Sequence, residues 1–244
     1  MRRLRTLAFI PVLNEEGKIG PLLEKSLPLL SQNVVDEIVV VDDGSSDHSR
    51  AEIEKFPQVT LLAHPRRQGA GDAIRTAFRY ALAGGFDVFT LYAGNGKDDP
   101  ADVARLLAPI ASGEADYVQG SRFLPGGALD GLPAHRFVAM KLFTWTFSLF
   151  LMRRFTDCTN GFRAYRTEVL RDPRIDWAQN WLGHSYEIEF YLHYKVTALR
   201  FRVCEVPVKK IYAPSTGFSY TKVRLKDWLT NLKPLFLLRL GLRR

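Results

Sequence analysis

One stretch constrains this chain more than any other. Ile38-Val39-Val40-Val41 runs straight into Asp42-Asp43-Gly44-Ser45-Ser46-Asp47. A β-branched run with no polar alternation fits a strand buried on both faces of a parallel sheet. Its carboxyl end then carries two acids, a glycine that permits a positive-φ turn, and short polar side chains suited to cap the next helix. Open α/β sheets bind ligands outside such carboxyl ends. An ordinary capping turn has the same composition, so these residues alone leave both readings open.

The neighbouring sequence extends the pattern. Strands are expected at residues 7–13, 38–41, 59–63, 86–92 and 117–120, and helices at 19–30, 47–56, 69–83 and 99–112. The third of these helices places Ala73, Ile74, Ala77, Phe78, Ala81 and Leu82 at helical spacing, and Gly84-Gly85 stops it. Strict alternation of strand and helix predicts βαβ units, an α/β fold with a mainly parallel central sheet flanked by helices. After residue 121 come a Gly/Pro-rich loop (125–133), an aromatic helix (136–154), a turn (157–163), a helix (185–196), a strand (199–206) and a basic amphipathic tail (222–244).

Composition narrows the partners. The 244 residues are 46% hydrophobic with a formal net charge of +8, enough chain for a real core and a basic surface that suits anionic ligands. Nucleic acid is set aside because no nucleic-acid-binding module is recognisable. Cys158 and Cys204 lack metal-ligand spacing, which makes a reducing compartment the default. Arg2, Arg3 and Arg5 before Leu7-Ala8-Phe9-Ile10 imitate a signal peptide, but Pro11 and Asn14-Glu15-Glu16 follow at once and a first strand is expected instead. The longest apolar run, Phe137 to Met152, is interrupted by Lys141 and falls short of a membrane span.

Five motifs stand in order: Pro11-Val12-Leu13-Asn14-Glu15, Val41-Asp42-Asp43-Gly44-Ser45, the Gly69-Ala70-Gly71 helix start, Gly120-Ser121-Arg122-Phe123, and Asp157-Cys158-Thr159-Asn160-Gly161-Phe162-Arg163. In that order they resemble family 2 glycosyltransferases of the GT-A fold, in the branch with dolichyl-phosphate mannose synthase and bacterial polyprenyl-phosphate glycosyltransferases. The resemblance implies one GT-A domain over 1–221, with a nucleotide-binding half (1–121), an acceptor half (122–221) and a C-terminal amphipathic helix (222–244). It implies that Pro11, Leu13, Glu15, Val41 and Asp43 line the base and ribose pocket, and that Gly94, Asn95 and Arg122 contact the donor. Gly69 and Gly71, beside Arg66 and Arg67, would offer amides and charge to phosphate. Asp157 is the first candidate for an acceptor base and Glu189 the second, while Arg136 and Arg163 would clamp an acceptor phosphate. A closing loop in the family contacts the diphosphate; here Lys222 matches it, with Arg224 as the fallback.

The chain departs from the family after the fourth strand. The family's Asp-x-Asp-x-Gln holds a hard divalent cation through oxygen ligands. Here the stretch reads Ala93-Gly94-Asn95-Gly96-Lys97-Asp98-Asp99. Three outcomes stay open. Lys97 takes over part of the metal's work and no cofactor is required, which is the preferred reading. A shifted site built on Asn95 and Asp98 or Asp99 holds Mg²⁺ or Mn²⁺. Or catalysis is lost and nucleotide-sugar binding remains.

The preferred function is sugar transfer from a nucleotide-sugar donor to a polyprenyl phosphate. The alternatives are a saccharide, protein or small-metabolite acceptor, or an inactive binder. The aromatic helix and the tail, with Trp228, Phe236 and Leu237 among Lys226, Lys233 and Arg239, are expected to meet an anionic membrane surface. That reading puts the chain in the cytoplasm, peripheral at the inner face of the membrane. Packing on the sheet, or a homo-oligomer interface, is the competing use of the same residues.

Overall fold

The computed structural model describes residues 3–212 and 225–243, with the backbone alone for 225–229. Seven strands form the central sheet: β1 (Thr6–Val12), β2 (Glu37–Asp42), β3 (Thr60–Ala63), β4 (Val88–Leu91), β5 (Tyr117–Ser121), β7 (Arg163–Arg166) and β8 (Val203–Pro207), in the order β3-β2-β1-β4-β7-β5-β8. The run Ile38 to Val41 pairs in parallel with β1 on one side and β3 on the other, and all four residues are fully buried. β1 also pairs in parallel with β4. The chain therefore leaves β1 to build β2 and β3 on one side, then returns to its other side. That reversal opens a crevice at the carboxyl ends of β1 and β4.

Side chains alternate across each strand and feed two cores. Leu7, Phe9, Val39 and Val41 face α3 (Ala70–Ala83), α5 (Ala134–Leu151), α7 (Glu187–Ala198) and α8 (Leu225–Arg239). Ala8, Ile10, Val12, Ile38 and Val40 face α1 (Ile19–Ser31), α2 (Ser49–Ile53) and α4 (Val103–Ala111). Each fully buried large aliphatic side chain contributes about 1.5–3 kcal/mol, so the doubly covered sheet is the rigid base of the crevice.

Two features depart from the expected layout. Arg163, expected to end the turn, instead opens β7, and residues 163–166 lie antiparallel between β4 and β5. A strand bounded by Arg163 and Arg166 has no apolar signature; its pairing comes from the chain reversal before it. The Gly/Pro-rich loop contains β6 (Ala128–Asp130), which pairs in parallel with β9 (Lys209–Ile211) as a two-stranded sheet. An isolated bridge between Asp98 and Lys210 ties this small sheet to the loop after β4. The short α6 (Glu168–Arg171) follows β7.

Candidate active site

The loops that leave β1 and β2 are sewn together. Asn14 N–H donates to Ser45 Oγ (3.0 Å), Glu15 N–H to Ser49 Oγ (2.7 Å) and Ser46 N–H to Asn14 Oδ1 (2.9 Å). Asp42 Oδ1 accepts from Ser45 N–H (3.0 Å). Asp43 accepts from Gln68 N–H (2.8 Å) and Gly69 N–H (2.7 Å), and its Oδ1 lies 2.8 Å from His64 Nδ1. Gly69 has φ +111°, and a Cβ there would come within 2.1 Å of the His184 carbonyl oxygen. Gly71 N–H donates to that same carbonyl (2.9 Å). The amides of Gly69 and Gly71, expected to meet phosphate, are thus taken by Asp43 and His184. Glu15 accepts from Lys18 Nζ (2.8 Å).

A cavity of about 770 Å³ lies over these loops, with Pro11, Leu13, Glu15, Asp43, Gly94 and Asn95 in its wall. All six are residues expected at the nucleotide-sugar donor. Val41 is not in the wall: it is fully buried in the core beneath, because its side chain points off the sheet face rather than out of the strand end. Gly94 N–H donates to the Pro11 carbonyl (3.2 Å), and a Cβ at 94 would stand 2.8 Å from that oxygen. Glycine is what lets the β4 loop lie against β1.

The β4 loop carries the departure in charge. Asn95 Oδ1 accepts from the Lys97 amide (3.2 Å). Asp98 is held on three sides: Lys210 Nζ approaches Oδ1 at 2.7 Å and Oδ2 at 2.9 Å, and Ala93 N–H donates to Oδ2 at 3.2 Å. Lys210 Nζ also donates to Asn160 Oδ1 (3.2 Å). Asp98 therefore has its charge compensated by an ammonium, and the expectation that it rescues a metal site does not fit. Asn95 is a neutral amide already engaged, and Ala93 offers no ligand at all. Among the described residues no three His, Cys, Asp or Glu side chains converge to hold a metal. This donor set does not suit a hard divalent cation. Lys97 Nζ sits 5.4 Å from the centre of the Tyr212 ring, and burial, then the nearby Lys210 charge, lower its pKa.

A second cavity, about 210 Å³, shares Ala93, Asn95, Tyr186 and Asn231 with the first, so the two meet at the β4 loop. Lys97, Arg122, Arg136, Lys210 and Glu189 line it. Arg122 is aimed by Asp157: Nε donates to Oδ2 (2.6 Å) and Nη2 to Oδ1 (2.8 Å), with Nη1 on the Tyr212 hydroxyl (2.9 Å). Asp157 is fully buried. Burial alone would raise its carboxyl, but the Arg122 charge and hydrogen bonds outweigh that and hold it below the usual carboxylate range. A buried, ion-paired acid with a lowered pKa is a poor acceptor base, so Asp157 is corrected to the group that orients Arg122. Glu189 has the opposite character. Burial raises its pKa, and Oε1 has no hydrogen-bond partner among the described residues.

Arg163, expected as a phosphate clamp with Arg136, is corrected too. It is buried behind the cavity, donating to the carbonyls of Asn160 (3.0 Å) and Glu189 (2.9 Å) and to the Tyr117 hydroxyl (3.1 Å). Its place on an internal strand turns the side chain into the core. Lys222 and Arg224 lie outside the described residues. Sequence reasoning missed Lys210, Tyr212 and Glu205. Glu205 accepts from the amides of Thr156 (2.8 Å) and Asp157 (2.9 Å) and so fixes the turn that carries Asp157. Lys209 and Lys210 read alike in sequence; strand alternation, which leaves Lys209 exposed and Lys210 buried, was the available signal.

Beside the second cavity, α5 turns Arg136, Met140 and Phe143 inward and an apolar stripe outward. Val138, Leu142, Trp145 and Leu149 are 60–62% exposed, at alternating spacings of four and three. In α8, Leu235 is fully buried and Phe236 packs edge-on against Phe150 of α5 (4.7 Å). Part of the tail's apolar face is thus spent on packing. No described helix is long and apolar enough to cross a membrane.

Comparisons with known proteins agree with this layout. Residues 8–172 match the model of Glycosyl transferase family 2. The chain is 31% identical over 213 residues to an undecaprenyl-phosphate mannosyltransferase of Micrococcus luteus, covering 84% of this chain and 83% of that one. It is 33% identical over 210 residues to a polyprenol monophosphomannose synthase of Mycolicibacterium smegmatis, covering 84% and 76%. Among solved structures, glucosyl-3-phosphoglycerate synthase from Mycobacterium tuberculosis in complex with UDP superposes with a TM-score of 0.69 over 99% of this chain and 82% of that one. At 19% identity that likeness is one of fold.

Proposed function

The chain belongs to glycosyl transferase family 2 and is a nucleotide-sugar-dependent glycosyltransferase; we propose that it transfers the sugar to a polyprenyl phosphate without needing a divalent metal. The observation that carries this reading is the pair of cavities meeting at Ala93 and Asn95, one over the β1 and β2 loops, the other lined by Lys97, Arg122 and Arg136. The first suits a nucleotide and the second an acceptor phosphate. The relatives named above act on undecaprenyl phosphate and polyprenol, which supports the same acceptor class here.

In the transfer, an acceptor phosphate oxygen bonds to the anomeric carbon as the bond to the donor's β-phosphate oxygen breaks, and the nucleoside diphosphate leaves with that electron pair. Lys97 lines the second cavity two residues after Asn95, where an ammonium would stabilise charge growing on the leaving diphosphate. Arg122, fixed by Asp157, and Arg136 hold anionic oxygens; an acceptor that is already an anion needs little base help. Glu189, the one carboxylate among the described residues that line the second cavity, would take the last acceptor proton where one is present. The solved relative has also been crystallised with Mn²⁺ and UDP; the Asp98–Lys210 pair argues for a different arrangement in this chain.

The exposed apolar stripe of α5, beside Lys141 and Arg136, would rest on an anionic membrane at the cytoplasmic face and bring the lipid to the second cavity. The test supplies UDP-, GDP- and dTDP-sugars, mannose donors first, with undecaprenyl or dolichyl phosphate in anionic vesicles. Labelled sugar moving into the lipid fraction, and falling when Leu142 and Trp145 are both changed to Glu, is expected. Transfer to a soluble saccharide or phosphorylated metabolite in preference to lipid would replace the acceptor.

A further inference from the structure

The misfit between these residues and a divalent metal has a structural cause that sequence did not reveal. Lys210 and Asp98 are 112 residues apart and form a buried pair at the base of the β4 loop. Besides the two Asp98 contacts, the ammonium reaches Asn160 Oδ1, which fixes its position from a third side. The backbone repeats the link: Asp98 and Lys210 form a bridge, and Ile211 N–H donates to the Lys97 carbonyl (3.0 Å). The pair is also oriented. Lys210 lines the cavity that Lys97, Arg122 and Arg136 share, while Asp98 lines only a neighbouring hollow, with Lys18 and Lys25, that meets this cavity at Asn95 and Lys97.

We infer that Lys210 is a resident cation at the phosphate end of the crevice: it takes up the charge of Asp98, sets the β4 loop that carries Asn95 and Lys97, and sets the positive end of the pair in the wall of the second cavity, beside the place where the donor diphosphate would meet the acceptor phosphate. It is a positioning residue, because its hydrogen bonds go to Asp98 and Asn160 rather than outward. The inference rests on the reading of this crevice as a nucleotide-sugar site and deepens it. A metal bound at each turnover is replaced by an ammonium folded into the protein. Such a site carries its positive charge before the donor arrives and gains nothing from added metal.

The test measures binding of UDP, GDP and dTDP to the full chain by calorimetry in EDTA, then in Mn²⁺, with the melting temperature read alongside. Three chains are compared: wild type, Asp98→Asn, and the double variant Asp98→Asn/Lys210→Met, which leaves no unpaired buried acid and so keeps a folded reference. Asp98→Asn uncovers the Lys210 charge and is expected to tighten nucleotide binding about tenfold while lowering the melting temperature. The double variant is expected to bind about tenfold more weakly than wild type. Affinities that follow the melting temperatures, both variants weakening together, would overturn the inference and leave a purely structural ion pair. Wild-type affinity that rises tenfold or more with Mn²⁺ would overturn it as well. If wild type binds none of the three nucleotides in either condition, the donor-site reading beneath it fails, a result distinct from the other two.

Discussion

The loops after β2 and β4 face each other across one crevice and neutralise their acids in opposite ways. After β2, Asp43 is satisfied by backbone amides of residues 68 and 69 and by His64, all within 26 residues. After β4, Asp98 is satisfied by an ammonium from 112 residues away. Amides carry partial charge and leave the local balance acidic; a lysine cancels the acid and brings its own donors. On the reading proposed above, the first loop would cradle a neutral base and ribose, while the second would present cations to anionic groups. Strand ends with similar acids in the sequence thus do different chemistry, and the partner decides which.

That contrast can be broken in four places. The largest effect is expected at Asp157, where the lysine-like mode is repeated with Arg122. Asp157→Ala leaves a buried guanidinium without its carboxylate and should cost about 3–5 kcal/mol, seen as a lowered midpoint in urea unfolding. Lys97→Ala removes a cation of the second cavity and should lower kcat about 10²–10³-fold with a much smaller effect on melting temperature. A proportionate loss of stability would move Lys97 from the reaction to the fold. On the amide side, Asp43→Ala frees two backbone donors and should cost about 1–3 kcal/mol. It should weaken nucleotide binding without making it respond to Mn²⁺.

The smallest effect lies away from both loops, at His193. Its ring sits among Tyr117, Phe147 and Phe155, and neither nitrogen has a partner among the described residues. Burial, with the Arg163 and Arg153 charges adding to it, pushes its pKa well below the usual histidine value. The folded chain therefore keeps His193 neutral while the unfolded chain protonates it below about pH 6.5. Stability from this group is full above that pH and falls as pH drops, by at most about 1.4 kcal/mol per unit. His193→Phe should flatten the melting-temperature profile between about pH 6.5 and 5. An unchanged profile would assign the acid sensitivity to other groups.

What was legible in the sequence follows from how local each signal is. The run Ile38 to Val41 and the alternation around it announce a parallel sheet, because burial on both faces leaves an unmistakable apolar string. Pro11, Leu13, Glu15 and Asp43 come to the cavity wall because they end adjacent strands. Val41 was misplaced by one side chain's direction, which a strand end does not reveal. β7 was missed because Arg163 closes an expected turn and the short stretch to Arg166 has no long apolar run; only the reversed chain makes it a strand. Asp157 looks like a catalytic acid until Arg122 is placed against it. Lys210 had no signal at all beyond alternation, since its role depends on a contact across half the chain.

The central claim is that charge built into the β4 loop does the work otherwise given to a divalent cation. Its most direct test is sugar transfer to polyprenyl phosphate by the wild-type chain in excess EDTA and then in a Mn²⁺ series. The account predicts the same rate throughout. Loss of transfer in EDTA with full recovery in Mn²⁺ would contradict it and place a metal where Asp98 and Lys210 now pair.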